Sequence, residues 1–145
     1  MIVVKRFKFD ESDLSKIAFT IRTKVFVEEQ HVEPCLEYDG YDQNAQHYLV
    51  LKNDEAVGTA RWRYTEKGIK LERFAILSKY RNDGIGSVLL KEVLQDIIKL
   101  NKTIYLHSQL RAVPYYERMG FQKQGKLFEE AGIQHYFMVF THLNE

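Results

Sequence analysis

One cysteine and two prolines are all that the 145 residues hold of either type, and each scarcity excludes something. With Cys35 alone there is no internal disulfide and no thiolate metal cluster. As a nucleophile Cys35 would need a histidine partner, but it lies in an acidic, tyrosine-bearing stretch and reads as an ordinary loop residue. Two prolines leave little room for linkers. A charge excess is missing too: 21 Lys and Arg stand against 20 Asp and Glu, a formal net charge of +1. No strong field collects nucleic acid or anionic lipid, so neither is an expected partner and a substrate is recognised locally. The opening Met1-Ile2-Val3-Val4-Lys5 has neither the order of a secretory signal nor the length of a membrane span, which predicts a soluble, cytoplasmic protein. The five histidines show no i,i+4 pairing and no carboxylate at ligand spacing, so no metal is expected. Trp62 between Arg61 and Arg63 reads as ordinary sheet surface rather than a base-stacking platform.

What is present is apolar and aromatic: 45% hydrophobic residues, with nine Tyr and nine Phe. That composition predicts a sheet-containing globular fold, and the length fits one domain over residues 1–145. The stretch Arg81-Asn82-Asp83-Gly84-Ile85-Gly86-Ser87 runs from a small, polar turn into a helix. Its two glycines let the backbone approach a ligand closely. The unpaired amides of a helix's first turn and the positive end of its dipole suit a pyrophosphate, and Arg81 adds a charged contact. Ile85, Leu89, Val93 and Ile97 recur every four residues along that helix, with Leu90, Leu94 and Ile98 widening the stripe. There is no P-loop Gly-Lys-Ser/Thr and no third glycine at dinucleotide spacing.

In chain order, residues 2–9 read as a strand, and residues 10–13 offer capping side chains for a helix carrying Leu14, Ile17, Ala18, Ile21 and Val25 on one face. That helix is expected to fray near residues 28–31. Residues 32–46 lack a sustained period and read as a long loop with at most one helical turn, of a length often functional. Strands at 47–52, 56–64 and 69–77 form an antiparallel meander. After the glycine turn and its helix, Thr103-Ile104-Tyr105-Leu106 is a buried strand expected parallel to the 69–77 strand, with the helix as crossover. A short helix with Pro114 in its first turn covers 112–119, and strands at 121–128 and 133–141 close a hairpin, with a pairing across a homodimer open to them. The predicted class is α/β: a mixed central sheet with a parallel pair, flanked by helices. The phosphate turn falls at the carboxyl end of one of the paired strands, where α/β sheets tend to bind ligands.

Two motifs carry a resemblance. Residues 71–90, LERFAILSKYRNDGIGSVLL, are similar to the strand, pyrophosphate loop (R/Q-x-x-G-x-G/A) and helix of the GNAT superfamily of acyl-CoA-dependent N-acyltransferases. Residues 112–121, AVPYYERMGF, resemble that family's second signature. The strand order fits across essentially the whole chain, and IRTKVFVEEQ and GIQHYFMVF resemble a small bacterial ElaA/YjcF-type subgroup. The resemblance implies acetyl-CoA as co-substrate, a splayed parallel strand pair, and pantetheine lying along the 69–77 strand. Backbone groups around Phe74, Ala75 and Ile76 would pair with it as a strand would. The implied activity is acetyl transfer to a primary amine of a small molecule or peptide, with a longer acyl donor also open. The alternative is an acyl-CoA-binding or regulatory module with little turnover.

Such a transfer needs a neutral amine, an oxyanion site and a proton for the departing thiolate. Neutralising a lysine-like amine at pH 7 costs roughly 4 to 5 kcal/mol, so a base is useful. Glu72 is the first candidate because it matches a position where some family members keep a catalytic glutamate; its alternative is a pairing with basic residues on the sheet. Glu29 is a second candidate base, or a contact for a cationic substrate. Tyr116 matches the family's frequent general acid, and a strand amide near Phe74 to Ile76 would meet the oxyanion. His47 and His135 lie in subgroup-like segments and are candidates for the acceptor pocket, with satisfied structural histidines as their alternative.

Overall fold

The computed structural model describes residues 1–9 and 12–141. The capping expected of Asp10, Glu11 and the Ser12 side chain, and His142, lie outside what it describes. Seven strands form one mixed sheet: β1 (Ile2–Phe7), β2 (Gln46–Lys52), β3 (Glu55–Thr65), β4 (Gly68–Ile76), β5 (Ile104–Gln109), β6 (Phe121–Glu130) and β7 (Ile133–Phe140). Their spatial order is β1-β2-β3-β4-β5-β7-β6, antiparallel throughout except where β4 meets β5. The helices are α1 (Ser12–Arg22), α2 (Pro34–Glu37), α3 (Ile85–Ile98) and α4 (Val113–Arg118). None of the described helices is long and apolar enough to cross a membrane.

Alternation along the strands divides the side chains between two cores. Tyr48, Val50, Ala60, Ile69, Leu71, Ile104 and Leu106 point to one face and pack under the α3 stripe of Ile85, Leu89, Leu90, Val93, Leu94 and Ile97. Phe7, Leu49 and Ala75 point to the other and meet Ala18 and Ile21 of α1. The polar side of α3 is anchored as well, since Asp96 accepts from Arg6 at 2.7 Å and from the Tyr48 hydroxyl at 2.7 Å.

Two departures from regular geometry shape the site. The parallel contact between β4 and β5 lasts only from Ile69↔Ile104 to Leu71↔Leu106. Beyond Leu71 the edge of β4 is open, so the expected parallel pair forms and then separates. Just there, β4 carries a bulge: Thr59 pairs with Ala75 and Arg61 with Glu72, so three steps on β4 oppose two on β3, and Arg73 takes the left-handed φ of 57°. The second departure is in the first helical segment, which ends after Glu29, within the expected range, but does so through a π-helix over Thr23–Glu29. Such widened turns are uncommon and often mark functional places.

The segment expected to be a long loop is instead pinned by buried charge. Arg22 bonds Glu37 at 2.7 Å and Asp42 at 2.8 Å, while Arg61 bonds Asp39 at 2.6 Å and Asp42 at 2.8 Å. Arg73, at the bulge, donates to the Leu36 and Glu37 carbonyls and to Asp39. Arg61 is only 1% exposed. Burial pushes the Glu37 carboxyl up despite its Arg73 and Arg22 neighbours. For Asp39, burial acts in the same sense, but the Arg61 hydrogen bond and the other partners outweigh it and take the group down to about 2.

Candidate active site

The glycine turn leads into α3 at the mouth of the opening between β4 and β5. Gly84 is the N-cap, with φ 77°, a conformation that a side chain rarely adopts. No side chain caps the helix, so its first amides have no partner within it. Gly86 lies inside the first turn, where helix propensity favours alanine by about 1 kcal/mol. A Cβ there would meet Ile76 Cγ1 at 3.7 Å and the Tyr115 hydroxyl at 3.9 Å, ordinary contacts. The fold itself therefore does not demand glycine at 86, and the bare backbone leaves room for a ligand to approach the helix amides. The turn fits a diphosphate on that ground.

Other parts of the turn have protein partners. Asn82 takes a left-handed φ of 70°, and Asp83 lies 3.4 Å from Lys52 Nζ, which offsets its charge at an anion site. Ser87 Oγ is 3.1 Å from the Tyr115 hydroxyl, tying the start of α3 to α4. Arg81 donates through Nε to the Ile76 carbonyl at 2.8 Å.

That last contact fixes the polarity of the open edge. Leu77 N donates to Val57 O on β3 at 2.9 Å, and in a trans peptide the Ile76 carbonyl must point the opposite way. By the period of two, Phe74 presents its amide and carbonyl to the same open edge, while Ala75 faces β3. Of the three residues named for backbone pairing, Phe74 and Ile76 are thus placed for a strand-like ligand. The Ala75 side chain fills the α1 core.

The carboxylate expected to act as a base is engaged elsewhere. Glu72 lies between Arg61 at 3.0 Å, Arg63 at 2.7 Å and Lys70 at 3.2 Å, and its side chain is 4% exposed. Burial works against its charge, but the Arg63 hydrogen bond and the Arg61 and Lys70 charges prevail and hold it at about 2. A carboxylate so held has almost no affinity for a proton at pH 7. The pairing alternative is the one the geometry favours, and the reason is register: Arg61 stands directly opposite Glu72 on β3.

His47 is also structural in its setting. It is 2% exposed, its Nε2 is 2.8 Å from the Asp42 carbonyl, its ring stacks on Phe7, and burial lowers its pKa. His135 is different in place. It pairs with Gln109 at the end of β5, its Nδ1 donates to the Ile133 carbonyl at 2.7 Å, and its ring stacks on Phe128. Gln109 in turn donates to Gln30 at 2.8 Å. Together with Glu29, Leu110, Arg111, Ile133 and Gln134, these two glutamines line a cavity of about 580 Å³. His135 adjoins that wall.

Tyr116 sits on α4, which starts with Pro114 in its first turn and ends before Gly120. Its ring meets Tyr115 edge-on at 5.2 Å and Phe121 at 5.7 Å. Its hydroxyl makes no hydrogen bond among the described residues, and burial, then the neighbouring Tyr115, raises its pKa. It keeps its proton at neutral pH, and the same environment makes it a weaker acid than a solvated tyrosine.

An uncapped helix start at a glycine turn stands beside an open strand edge, with a tyrosine on the following helix. The family model for the acetyltransferase (GNAT) domain matches residues 10–142. The chain belongs to that acetyltransferase family, and is an acyltransferase. It is 38% identical to the uncharacterized protein YyaT of Bacillus subtilis over 132 residues, 88% of each chain. It is 33% identical to the uncharacterized N-acetyltransferase YjcF of the same organism over 126 residues, 86% of this chain and 90% of that one. The crystal structure of Escherichia coli ElaA superposes with a TM-score of 0.85 at 26% identity, covering 96% of this chain and 99% of that one. The expected splayed, mixed-sheet fold is the one found.

Proposed function

We propose that the protein moves the acetyl group of acetyl-CoA directly to a primary amine held in the cavity between Glu29, Gln30 and Gln109. The observation that carries this reading is the separation of β4 from β5 past Leu71, which sets an open strand edge between the α3 amides and that cavity. The thioester supplies the activated acyl group. The amides of residues 84–87 and Arg81 would hold the diphosphate, and the Phe74 and Ile76 edge would hold the pantetheine amides. A Phe74 amide at that edge would meet the oxyanion.

For the amine's proton, Glu72 is unsuited, because its carboxylate is committed to three cations. Glu29 is depressed by Arg81 in the protein without cofactor, and this reading assigns the amine's proton to water in the cavity. Tyr116 supplies the proton to the leaving thiolate. A screen of primary amines with acetyl-CoA, reading free thiol, is expected to find turnover. Retention of acetyl-CoA with no thiol release for any amine would make the protein a binding module instead.

Two substitutions examine the parts separately. With acetyl-CoA at about one hundred times its dissociation constant, the protein should gain about 2.7 kcal/mol of stability. Gly86→Val should lose most of that gain in a thermal-shift or calorimetric titration, and equal affinity would mean that the phosphate site lies elsewhere. Glu72→Gln should lower stability while leaving the pH profile of kcat/KM unchanged; a loss of activity confined to neutral pH would restore Glu72 as the base.

A further inference from the structure

Arg81 is the cation of the glycine turn, and three of its five N–H donors are already engaged within the chain. Nε donates to the Ile76 carbonyl, while Nη1 and Nη2 donate to the two carboxylate oxygens of Glu29 at 2.6 and 2.9 Å. Glu29 is the last residue of the π-helix. It lines the 580 Å³ cavity with Gln30 and Gln109, and also a neighbouring one of about 780 Å³ against Leu77, Ser78 and Tyr80. One side chain thus stands at the border of the acceptor cavity and holds the charged residue of the cofactor turn.

We propose that Glu29 and Arg81 form a latch coupling the two sites: a diphosphate at the turn draws the Arg81 guanidinium from Glu29, and the freed carboxylate receives a cationic group of the acceptor. The inference rests on the reading of the turn as the acetyl-CoA diphosphate site. A diphosphate that takes the two Nη hydrogens facing Glu29 displaces that carboxylate, since each of these hydrogens serves one strong acceptor. The diphosphate brings more charge than one carboxylate and is also held by the helix amides. The pair it must break is bidentate, but the Arg81 and Glu29 side chains are 34% and 36% exposed, so solvent screens it.

Release does not require the chain to rearrange. The adjacent Gln30 is fixed by Gln109, and Gln30 N bonds Val25 O at 3.1 Å, so Glu29 turns on an anchored backbone. Arg111 is the second cation facing Glu29, acting through space without a hydrogen bond. An ammonium of the acceptor then competes for the Glu29 carboxylate with Arg111, which lines the same cavity. Since the reacting amine must be neutral, the group that Glu29 takes is a second, non-reacting one, and the acceptor class is a primary amine that carries another positive charge. Coupling is reciprocal: such an acceptor must strengthen cofactor binding by the factor by which the cofactor strengthens its own.

Coenzyme A titrated calorimetrically into the full chain tests the latch. Glu29→Gln should bind coenzyme A about threefold tighter, since the competitor for Arg81 is gone and an exposed pair is worth about that factor. The gain should vanish in the Arg81→Gln background, which separates the latch from a general loss of negative charge. Saturating putrescine should tighten coenzyme A binding to the parent and not to Glu29→Gln, and butylamine should tighten neither. Unchanged or weaker binding by Glu29→Gln, a gain that survives in Arg81→Gln, or equal effects of the two amines overturns the latch and leaves the cofactor site standing. A parent that binds no coenzyme A overturns the proposed function itself.

Discussion

Tyr116→Phe should lower kcat by a factor of about 10² to 10⁴, the usual worth of a general acid, or roughly 3 to 5 kcal/mol of barrier. The ring keeps its edge-on contacts with Tyr115 and Phe121, so folding and acetyl-CoA affinity should persist. The loss belongs in kcat if proton delivery to the thiolate is part of the slow step. Tyr115→Phe sits one residue away but is no silent control, because its hydroxyl meets Ser87 in the first turn of α3. It should raise the KM for acetyl-CoA and spare kcat. Equal kcat losses in the two variants, or a Tyr116→Phe rate within about twofold of the parent, would make Tyr116 a packing residue with solvent as the acid.

The largest stability effect is expected at Arg61. Its guanidinium answers Asp39, Asp42 and Glu72 at 2.6, 2.8 and 3.0 Å with 1% side-chain exposure. Arg61→Met would leave carboxylates buried with too few counter-charges, and breaking such a pair typically costs about 3 to 5 kcal/mol. That is a large part of the roughly 5 to 15 kcal/mol that holds a domain folded. Urea unfolding at pH 7 measures it, and a loss under about 1 kcal/mol would place the network at the level of surface pairs. The pH dependence has a definite sign. Asp39 and Glu72 have folded-state values depressed to about 2, so the stability they contribute is complete above the unfolded range near pH 4 and is lost as pH falls toward 2. Glu37, raised by burial, acts in the opposite sense. Arg61→Met should flatten the acid limb, because the carboxylates no longer gain from staying charged.

What the sequence disclosed and what it hid follow from the range of the forces involved. The glycine turn, α3 and its stripe are local: backbone freedom and a period of 3.6 are written in consecutive residues. The strand edge at Phe74 and Ile76 came with the resemblance of the motif. For Glu72 the sequence left a base and a pairing with basic residues both open, because its partners arrive through register, Arg61 and Arg63 from β3 and Lys70 from its own strand. A charged residue on a strand looks solvated until its neighbours are known. Residues 32–46 showed no period because charge holds them rather than an apolar stripe. The signal was present in composition, since Glu37, Asp39 and Asp42 in that segment matched Arg22, Arg61 and Arg73 elsewhere. The Glu29–Arg81 contact joins residues 52 apart in sequence, and no local pattern announces it.

The brevity of the β4 and β5 pairing bears on what holds the sheet in one piece. Three register positions, Ile69 to Leu71 against Ile104 to Leu106, are all that stitch a four-stranded half to a three-stranded one. A donor lying along the open edge of β4 would act as a removable eighth strand, extending the seam from one side where β5 has turned away. On the proposed function, turnover would alternate the sheet between a sutured and an unsutured form, and product departure would depend on how fast a strand peels from an edge.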